Sequence, residues 1–220
     1  MIKRELYMNR IRPFIGGELI KVMTGIRRSG KSVMLELIKE ELAEAGVAPS
    51  QMISINFEDM RYSHLQTATA LHDEIIKRAE GIEGKAYLFF DEIQEVEGWE
   101  KCVNSLRVAL DCDIYITGSN AKLLSGELAT YIGGRYVEFV IYPFSFAEFL
   151  ELYHTIAPSD SIQQCFQKYL LAGGMPYLAN LRYEEEPSRQ YLTDLFNSVQ
   201  LKDIVKRNKI RDIDLLERII

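Results

Sequence analysis

The sequence is poor in the residues that mark exported, membrane-spanning or zinc-binding chains. Its 220 residues include three cysteines and three histidines, and none of them has the spacing of a disulfide framework or a zinc site. No apolar run approaches the roughly 20 residues that a membrane-spanning helix needs. The charged opening MIKRELYMNR lacks the apolar core of a signal peptide. These absences favour a cytoplasmic protein with reduced thiols and no membrane segment.

An excess of basic residues is also lacking. The chain has 26 Lys and Arg against 32 Asp and Glu, so its formal net charge is −6. This balance disfavours nonspecific nucleic-acid binding by this segment, although a local basic patch is compatible with it. The apolar share of 47% and the charged share of 26% are ordinary for a globular chain. The length suits one or two domains with a substantial core.

Short apolar runs alternate with helical patterns up to about residue 140. We predict strands over residues 19–24, 52–57, 86–90, 114–117 and 136–141. Runs of this kind are typical of strands that are covered on both faces. Between them, apolar residues recur at helical spacing, as in Met34, Ile38 and Leu42, in Leu71 and Ile75, and in Val103, Leu106 and Leu110. The alternation predicts an α/β fold with a parallel sheet between two layers of helices.

The pattern becomes helical after Pro143. Two capping boxes, Ser145 with Glu148 and Ser161 with Gln164, predict two helix starts. In the second of these helices, we expect an apolar face formed by Ile162, Phe166, Tyr169 and Leu170. We therefore predict a domain over residues 1–143 and a separate helical segment over residues 144–220.

The stretch GIRRSGKS matches the phosphate-binding loop G-x-x-x-x-G-K-[ST], and it lies between a predicted strand and a predicted helix as that motif requires. Its glycines let backbone N–H groups wrap phosphates at the helix N-terminus. Lys31 supplies a positive charge for the β- and γ-phosphates, and the Ser32 hydroxyl supplies a ligand for Mg²⁺. The predicted nucleotide-binding residues are Gly25, Ile26, Arg27, Arg28, Ser29, Gly30, Lys31 and Ser32. Arg27 and Arg28 either touch phosphate or a partner, or form a solvated loop tip.

A second stretch, YLFFDEIQ, ends an apolar strand in two adjacent carboxylates. An unpaired buried carboxylate is costly, so Asp91 and Glu92 need a positive partner. Downstream of a phosphate-binding loop, Asp91 is expected to hold Mg²⁺ directly or through water. Glu92 is expected to orient and polarise the attacking water. The alternative is that the two acids only cap the following turn.

These motifs resemble those of a known family. Lys31 with the Asp91–Glu92 pair resembles the additional-strand, catalytic-glutamate branch of P-loop NTPases. IYITGSN followed by GGRY and PFSFAEF resembles, more narrowly, the AAA+ superfamily. The order GIRRSGKS, ISINFED, LFFDEIQEVEGWE, YITGSNAKLLSGEL, GGRYVEFVIYPFSFAEF and GGMP is similar to that of a group of prokaryotic predicted ATPases, over nearly the whole chain. Members of this group usually carry a further C-terminal domain of unknown function.

The resemblance implies a five-stranded parallel sheet in the order 5-1-4-3-2, followed by a helical lid. It places Asn120, or its neighbour Ser119, beside the γ-phosphate as a sensor of that group, whereas capping of the next helix is the alternative. It also places Arg135 against the nucleotide of a neighbouring subunit, which implies a homo-oligomer. The alternative for Arg135 is that it anchors its own turn through a carboxylate such as Glu138.

We therefore predict an ATP-binding, Mg²⁺-dependent ATP-hydrolysing module that couples nucleotide state to movement of a helical lid or an effector domain. One alternative is a nucleotide-dependent interaction switch with little turnover. Another is a small-molecule kinase, although the segment after Pro143 is acidic and aromatic where a kinase lid would be basic. The final stretch IDLLERII places Ile213, Leu216 and Ile220 on one apolar helix face. We expect that face to pack on a further effector domain, which would reach an unknown protein or nucleic-acid target.

Overall fold

A computed structural model of the chain describes residues 2–118 and 132–199. The chain divides into two compact units, one over Lys3–Tyr142 and one that begins at Pro143. Buried apolar clusters lie within each unit. Within the described ranges, no helix is both long and apolar enough to cross a bilayer.

Within its described residues, the first unit contains one sheet of five strands. They are β1 (Ile20–Thr24), β2 (Met52–Asn56), β3 (Ala86–Asp91), β4 (Cys112–Thr117) and β5 (Tyr136–Val140). The strand order is β2-β3-β4-β1-β5, and every neighbouring pair is parallel. This is the predicted order read from the opposite edge, so the predicted α/β fold class is confirmed.

Helices cover the sheet on both faces. Those in the described part of this unit are α1 (Glu5–Ile11), α2 (Lys31–Glu44), α3 (Ala68–Ala79) and α4 (Trp99–Ala109). Met34 and Ile38 of α2 belong to one buried cluster, together with residues of α1, while Leu71 of α3 and Val103 of α4 belong to the other. The central strands β1 and β4 are buried along their whole length, and both are mostly apolar in the sequence, with one charged residue each, Lys21 and Asp113.

The second unit contains three described helices, α5 (Phe146–Tyr153), α6 (Ile162–Ala172) and α7 (Glu185–Val199). Both predicted capping boxes are present, at the starts of α5 and α6. The core of this unit is aromatic: the Phe149 ring stacks on Tyr153 with centroids 5.1 Å apart and meets Tyr183 edge-on at 5.0 Å.

The predicted apolar face of α6 is wrong in part. Ile162, Phe166 and Leu170 are 64%, 45% and 66% exposed. The side that meets the core carries Tyr169, as predicted, together with Cys165, and the Tyr169 hydroxyl donates to the Phe144 carbonyl at 2.9 Å. Apolar residues occur on both faces of α6, so their spacing alone does not identify the face that meets the core.

The GGMP motif follows α6 and makes a close backbone contact within the second unit. The Phe144 N–H donates to the Gly174 carbonyl at 2.7 Å. A Cβ atom at Gly174 would lie 2.0 Å from the Phe144 carbonyl oxygen. Glycine is therefore required here by the approach of another backbone segment.

Candidate nucleotide-binding site

The phosphate loop (residues 25–32) joins the end of β1 to the start of α2, at the carboxyl edge of the sheet. Its first residue, Gly25, has φ +139°, and a Cβ atom there would lie 2.2 Å from the Ile141 carbonyl oxygen. The Ile141 N–H in turn donates to the Thr24 carbonyl at 2.7 Å. The loop is thus fixed at its entry by the chain that follows β5, and only glycine allows that approach.

The middle of the phosphate loop is the more open part. Ile26, Arg28 and Ser32 are exposed. Arg27 is half-buried, and its Nη2 lies 3.5 Å from Glu58 Oε1. Ser29 is fully buried, and its hydroxyl has no hydrogen-bond partner within the part of the chain that the structure describes.

Lys31 begins α2 and is buried at its first turn. Its Nζ donates to the carbonyls of Gly25 and Ile26, each at 3.2 Å, and lies 3.9 Å from Glu92 Oε1. Burial lowers the pKa of Lys31 from its usual value, whereas the carboxylates of Glu92 and Asp91 oppose that shift. The two acids of YLFFDEIQ therefore have a positive partner in the phosphate loop.

Asp91 is the last residue of β3 and is buried. Its carboxylate accepts hydrogen bonds from the Thr117 hydroxyl and, at 3.3 Å, from Asn56 Nδ2. The same Thr117 oxygen accepts the Glu92 N–H at 3.0 Å. One hydroxyl at the end of β4 thus fixes the carboxylate of the first acid and the backbone of the second.

Glu92 has an unusual backbone for a residue with a side chain, with φ +55° in the left-handed region. Such a conformation costs about 1–3 kcal/mol and is concentrated at functional sites. Its carboxylate accepts a hydrogen bond from Gln94 Nε2 and makes no capping bond to the short helix that follows. The geometry therefore disagrees with the alternative in which Glu92 only caps the next turn.

The oxygen donors at this edge suit Mg²⁺. Ser32 offers a hydroxyl and Asp91 an oriented carboxylate, which are the hard ligands that Mg²⁺ prefers. Among the described residues, no group of three or more His, Cys, Asp and Glu side chains could enclose a metal ion. Mg²⁺ typically binds through one or two carboxylates together with substrate phosphates, and Ser32 and Asp91 fit that mode.

The other predicted site residues differ in outcome. Asn120 and Ser119 lie outside the described residues. Arg135 is exposed just before β5, where its Nη1 donates to Asn104 Oδ1 at 3.0 Å. In the alternative for Arg135, a carboxylate such as Glu138 anchors its turn; among the described contacts Arg135 pairs with Asn104, and Glu138 accepts the Thr24 hydroxyl at 2.6 Å.

The sequence analysis did not identify three residues that contact this site. Thr117 and Gln94 hold the two acids, and the Arg4 guanidinium donates to the Ser29 carbonyl of the phosphate loop at 3.0 Å. A hydroxyl that ends an apolar strand beside the acid-bearing strand was a usable signal for Thr117. Arg4 carries no such signal, because its partner is a backbone carbonyl 25 residues away.

A family model described as an AAA domain matches residues 18–150 of the chain. An uncharacterized protein of Haemophilus influenzae is 40% identical over 221 residues, covering 100% of this chain and 54% of the relative. An uncharacterized protein of Methanocaldococcus jannaschii is 34% identical over 203 residues, covering 88% of this chain and 44% of the relative. The chain thus spans about half the length of these curated relatives.

Among solved structures, the fold is similar to that of AMPPCP-bound DnaA from Aquifex aeolicus. The TM-score is 0.53 at 14% sequence identity, covering 94% of this chain and 66% of that one. At this identity the likeness concerns the fold alone, and it agrees with the sheet order of a P-loop NTPase. The chain belongs to the AAA domain family, within the AAA+ superfamily of P-loop NTPases.

Proposed function

We propose that the chain binds ATP and hydrolyses it in a Mg²⁺-dependent reaction. The observation that carries the proposal is the approach of Lys31 Nζ to Glu92 Oε1 at 3.9 Å, between the phosphate loop and the end of β3. This arrangement sets a phosphate-binding cation opposite a carboxylate that is suited to act on water.

Each residue of the site has a role in the proposed reaction. Backbone N–H groups of the phosphate loop and Lys31 hold the β- and γ-phosphates. Ser32 and Asp91 hold Mg²⁺, which when bound neutralises charge on the phosphate oxygens. Glu92 orients the attacking water and polarises it by accepting a hydrogen bond from its O–H group. Asn120, or Ser119, hydrogen-bonds the water or the γ-phosphate.

We also propose that the site is completed across subunits of a homo-oligomer. The exposed Arg135 would supply a guanidinium to the nucleotide of a neighbouring copy, where it would stabilise charge on the γ-phosphoryl oxygens. The helical second unit would respond to the nucleotide as a lid. A protein or nucleic-acid target would be reached through the additional length that the relatives possess.

Two measurements on the chain test the ATPase proposal. Calorimetric titration with MgATP should give saturable binding, and phosphate release should require Mg²⁺ and stop in EDTA. Lys31→Ala should abolish tight binding because it removes the point charge that faces the phosphates. Lys39→Ala is the matched control, since Lys39 lies on the same helix but pairs with Glu36 at 2.7 Å.

The outcomes separate the candidate functions. Unchanged ATP affinity in Lys31→Ala would contradict the phosphate-loop assignment. Tight binding by the unaltered chain without phosphate release would replace the ATPase with an interaction switch. Formation of ADP only when a small-molecule acceptor is present, with the phosphoryl group recovered on that acceptor and not as free phosphate, would make the chain a kinase.

A further inference from the structure

Arg4 is a buried arginine that lies next to the phosphate loop. It immediately precedes α1, and only 2% of its surface is exposed. Its backbone is left-handed, with φ +48°. Arginine is rarely buried to this extent unless it is fully paired, because desolvation of its charge is expensive. Arg4 therefore needs partners whose interactions offset both the strain of its backbone and the desolvation of its charge.

Three of its partners lie in separate stretches of the first unit. Arg4 Nη1 donates to the Ser29 carbonyl at 3.0 Å, and Nη2 donates to the Tyr142 carbonyl at 2.8 Å. The guanidinium carbon lies 4.6 Å from the centroid of the Tyr7 ring, a distance at which cation–π attraction applies. The Tyr7 hydroxyl accepts the Tyr142 N–H at 3.0 Å. The Tyr7 ring and the Tyr142 carbonyl therefore fix the position of the Arg4 guanidinium, which in turn binds the Ser29 carbonyl of the phosphate loop.

The contact with Ser29 has a geometric consequence for the next residue. The Ser29 carbonyl and the Gly30 N–H belong to one peptide unit, which is planar and trans, as are all peptide bonds in the described residues. In a trans peptide the C=O and N–H vectors point in opposite directions. Because Arg4 binds the carbonyl, the Gly30 N–H points away from the guanidinium.

We propose that Arg4 is a positioning residue for nucleotide binding: by holding the Ser29 carbonyl, it aims the Gly30 N–H at the phosphates of the bound nucleotide. The inference rests on the proposed function, since it assumes that the loop takes a nucleoside di- or triphosphate. Charge-assisted hydrogen bonds are the stronger class, so a guanidinium is suited to fix a peptide that would otherwise rotate. A phosphate-binding loop depends on such fixed N–H groups.

The test uses two substitutions at Arg4 and one matched control. Arg4→Met removes the charge and both hydrogen bonds, whereas Arg4→Lys keeps a charge that reaches only one carbonyl well. Arg12→Met is the control, because Arg12, at the end of α1, also ties that helix to a neighbouring element, through Glu41 of α2 at 2.8 Å, but lies outside the phosphate loop. Urea unfolding identifies the variants that fold.

Calorimetry with MgADP and MgATP should show a loss of affinity of about tenfold or more for Arg4→Met, similar for both nucleotides. Arg4→Lys should be intermediate, and Arg12→Met should match the unaltered chain. In ¹⁵N–¹H spectra of the unaltered chain, MgADP should shift the Gly30 amide strongly, and in Arg4→Lys the shift should be smaller. An arginine that only anchored α1 would leave this ligand-induced shift unchanged.

Several results would overturn the proposal. One is a folded Arg4→Met or Arg4→Lys with unaltered affinity for both nucleotides. Another is an equal loss of affinity in Arg12→Met, which would assign the effect to α1 as a whole. A Gly30 amide that does not respond to MgADP in the unaltered chain would refute the proposal even if Arg4→Met fails to fold. If the unaltered chain binds neither nucleotide, the proposed function itself fails, and that outcome is distinct from the other three.

Discussion

At Glu92 the chain combines a left-handed backbone with two polar side-chain contacts. Gln94 donates to one carboxylate oxygen, and Lys31 lies 3.9 Å from the other. Both contacts favour a carboxylate that points toward the phosphate loop. The strain in the Glu92 backbone is therefore explained if this side chain acts on the water that attacks the γ-phosphate.

The first prediction concerns Glu92→Gln. ATP affinity should persist because Lys31 and the loop backbone are intact, while turnover should fall by about 100-fold or more, the usual scale for loss of acid–base help. Calorimetry and steady-state phosphate release measure the two quantities. Glu97→Gln, an exposed acid in the same connection, should leave both unchanged. Normal hydrolysis by Glu92→Gln would assign Glu92 a purely structural role.

The second prediction concerns Thr117→Val, which keeps the side-chain volume but removes the hydroxyl. The Asp91 carboxylate and the Glu92 N–H would then each lose a hydrogen-bond partner. Because Asp91 is the proposed Mg²⁺ ligand, the Mg²⁺ concentration for half-maximal phosphate release should rise by about tenfold. Thr117→Ser retains the hydroxyl and should remain close to the unaltered chain. An unchanged Mg²⁺ dependence in Thr117→Val would show that Asp91 needs no such support.

Among the elements, the central strands β1 and β4 are joined by a charge pair that has no exposure to solvent. Lys21 of β1 and Asp113 of β4 form an ion pair, and both side chains are 0% exposed. Asp113 also accepts the Tyr115 hydroxyl at 2.7 Å and the Gly16 N–H at 2.6 Å. Burial lowers the pKa of Lys21 from its usual value, while Asp113 opposes that shift. The network ties the start of both strands to the loop before β1.

The third prediction is that Lys21→Met lowers the free energy of unfolding by about 3–5 kcal/mol, because it leaves the Asp113 charge buried without its cation. The double variant Lys21→Met with Asp113→Asn should recover much of that loss, since no uncompensated charge remains. Urea denaturation measures both. Lys85→Met, which breaks the exposed pair with Asp111, should have little effect. A double variant as unstable as Lys21→Met would contradict this account.

The strands and helices also show what the sequence could and could not predict. All five strands were predicted to within about two residues, because the strands of a parallel sheet that is covered on both faces are rich in apolar residues. Periodicity failed at α6, where Ile162 and Leu170 are exposed, because apolar residues occur on both of its faces. The sheet order came from the family resemblance, since no local pattern in the strands encodes which of them are neighbours.

The residues of the candidate site also differ in whether the sequence alone could identify them. Lys31, Asp91 and Glu92 were predictable because their chemistry is contained in short motifs. Thr117 and Arg4 were not identified, because their contacts join residues 26 and 25 positions apart. Their partners are set by tertiary structure, which places the ends of β3 and β4 side by side and the start of α1 against the phosphate loop.

At the scale of the whole molecule, the position of Arg135 bears on whether one chain contains every residue of its ATP-hydrolysing site or takes an arginine from a second copy. Arg135 lies in the connection before β5, where its single described side-chain contact is with Asn104. Glu138, the partner in the alternative interpretation, accepts a hydrogen bond from the Thr24 hydroxyl. An exposed guanidinium with one neutral partner is available to a second copy of the chain at little desolvation cost. In a ring, such a contact is made by every subunit to the next.

The last prediction follows from that arrangement. Arg135→Ala should lower the ATPase rate by about 10³-fold if it acts as an arginine finger, while the affinity of the same subunit for MgATP stays near that of the unaltered chain. Lys31→Ala subunits are inactive because they bind no nucleotide, but they still carry Arg135. When the two inactive variants are mixed, Arg135→Ala subunits that adjoin Lys31→Ala subunits regain a complete site. Phosphate release should therefore reappear and increase with total protein concentration.

Arg78→Ala, which breaks a surface pair with Glu74 on α3, is the control and should be fully active alone. An Arg135→Ala chain with full activity, and a rate per subunit that does not depend on protein concentration, would show that each chain completes its own site.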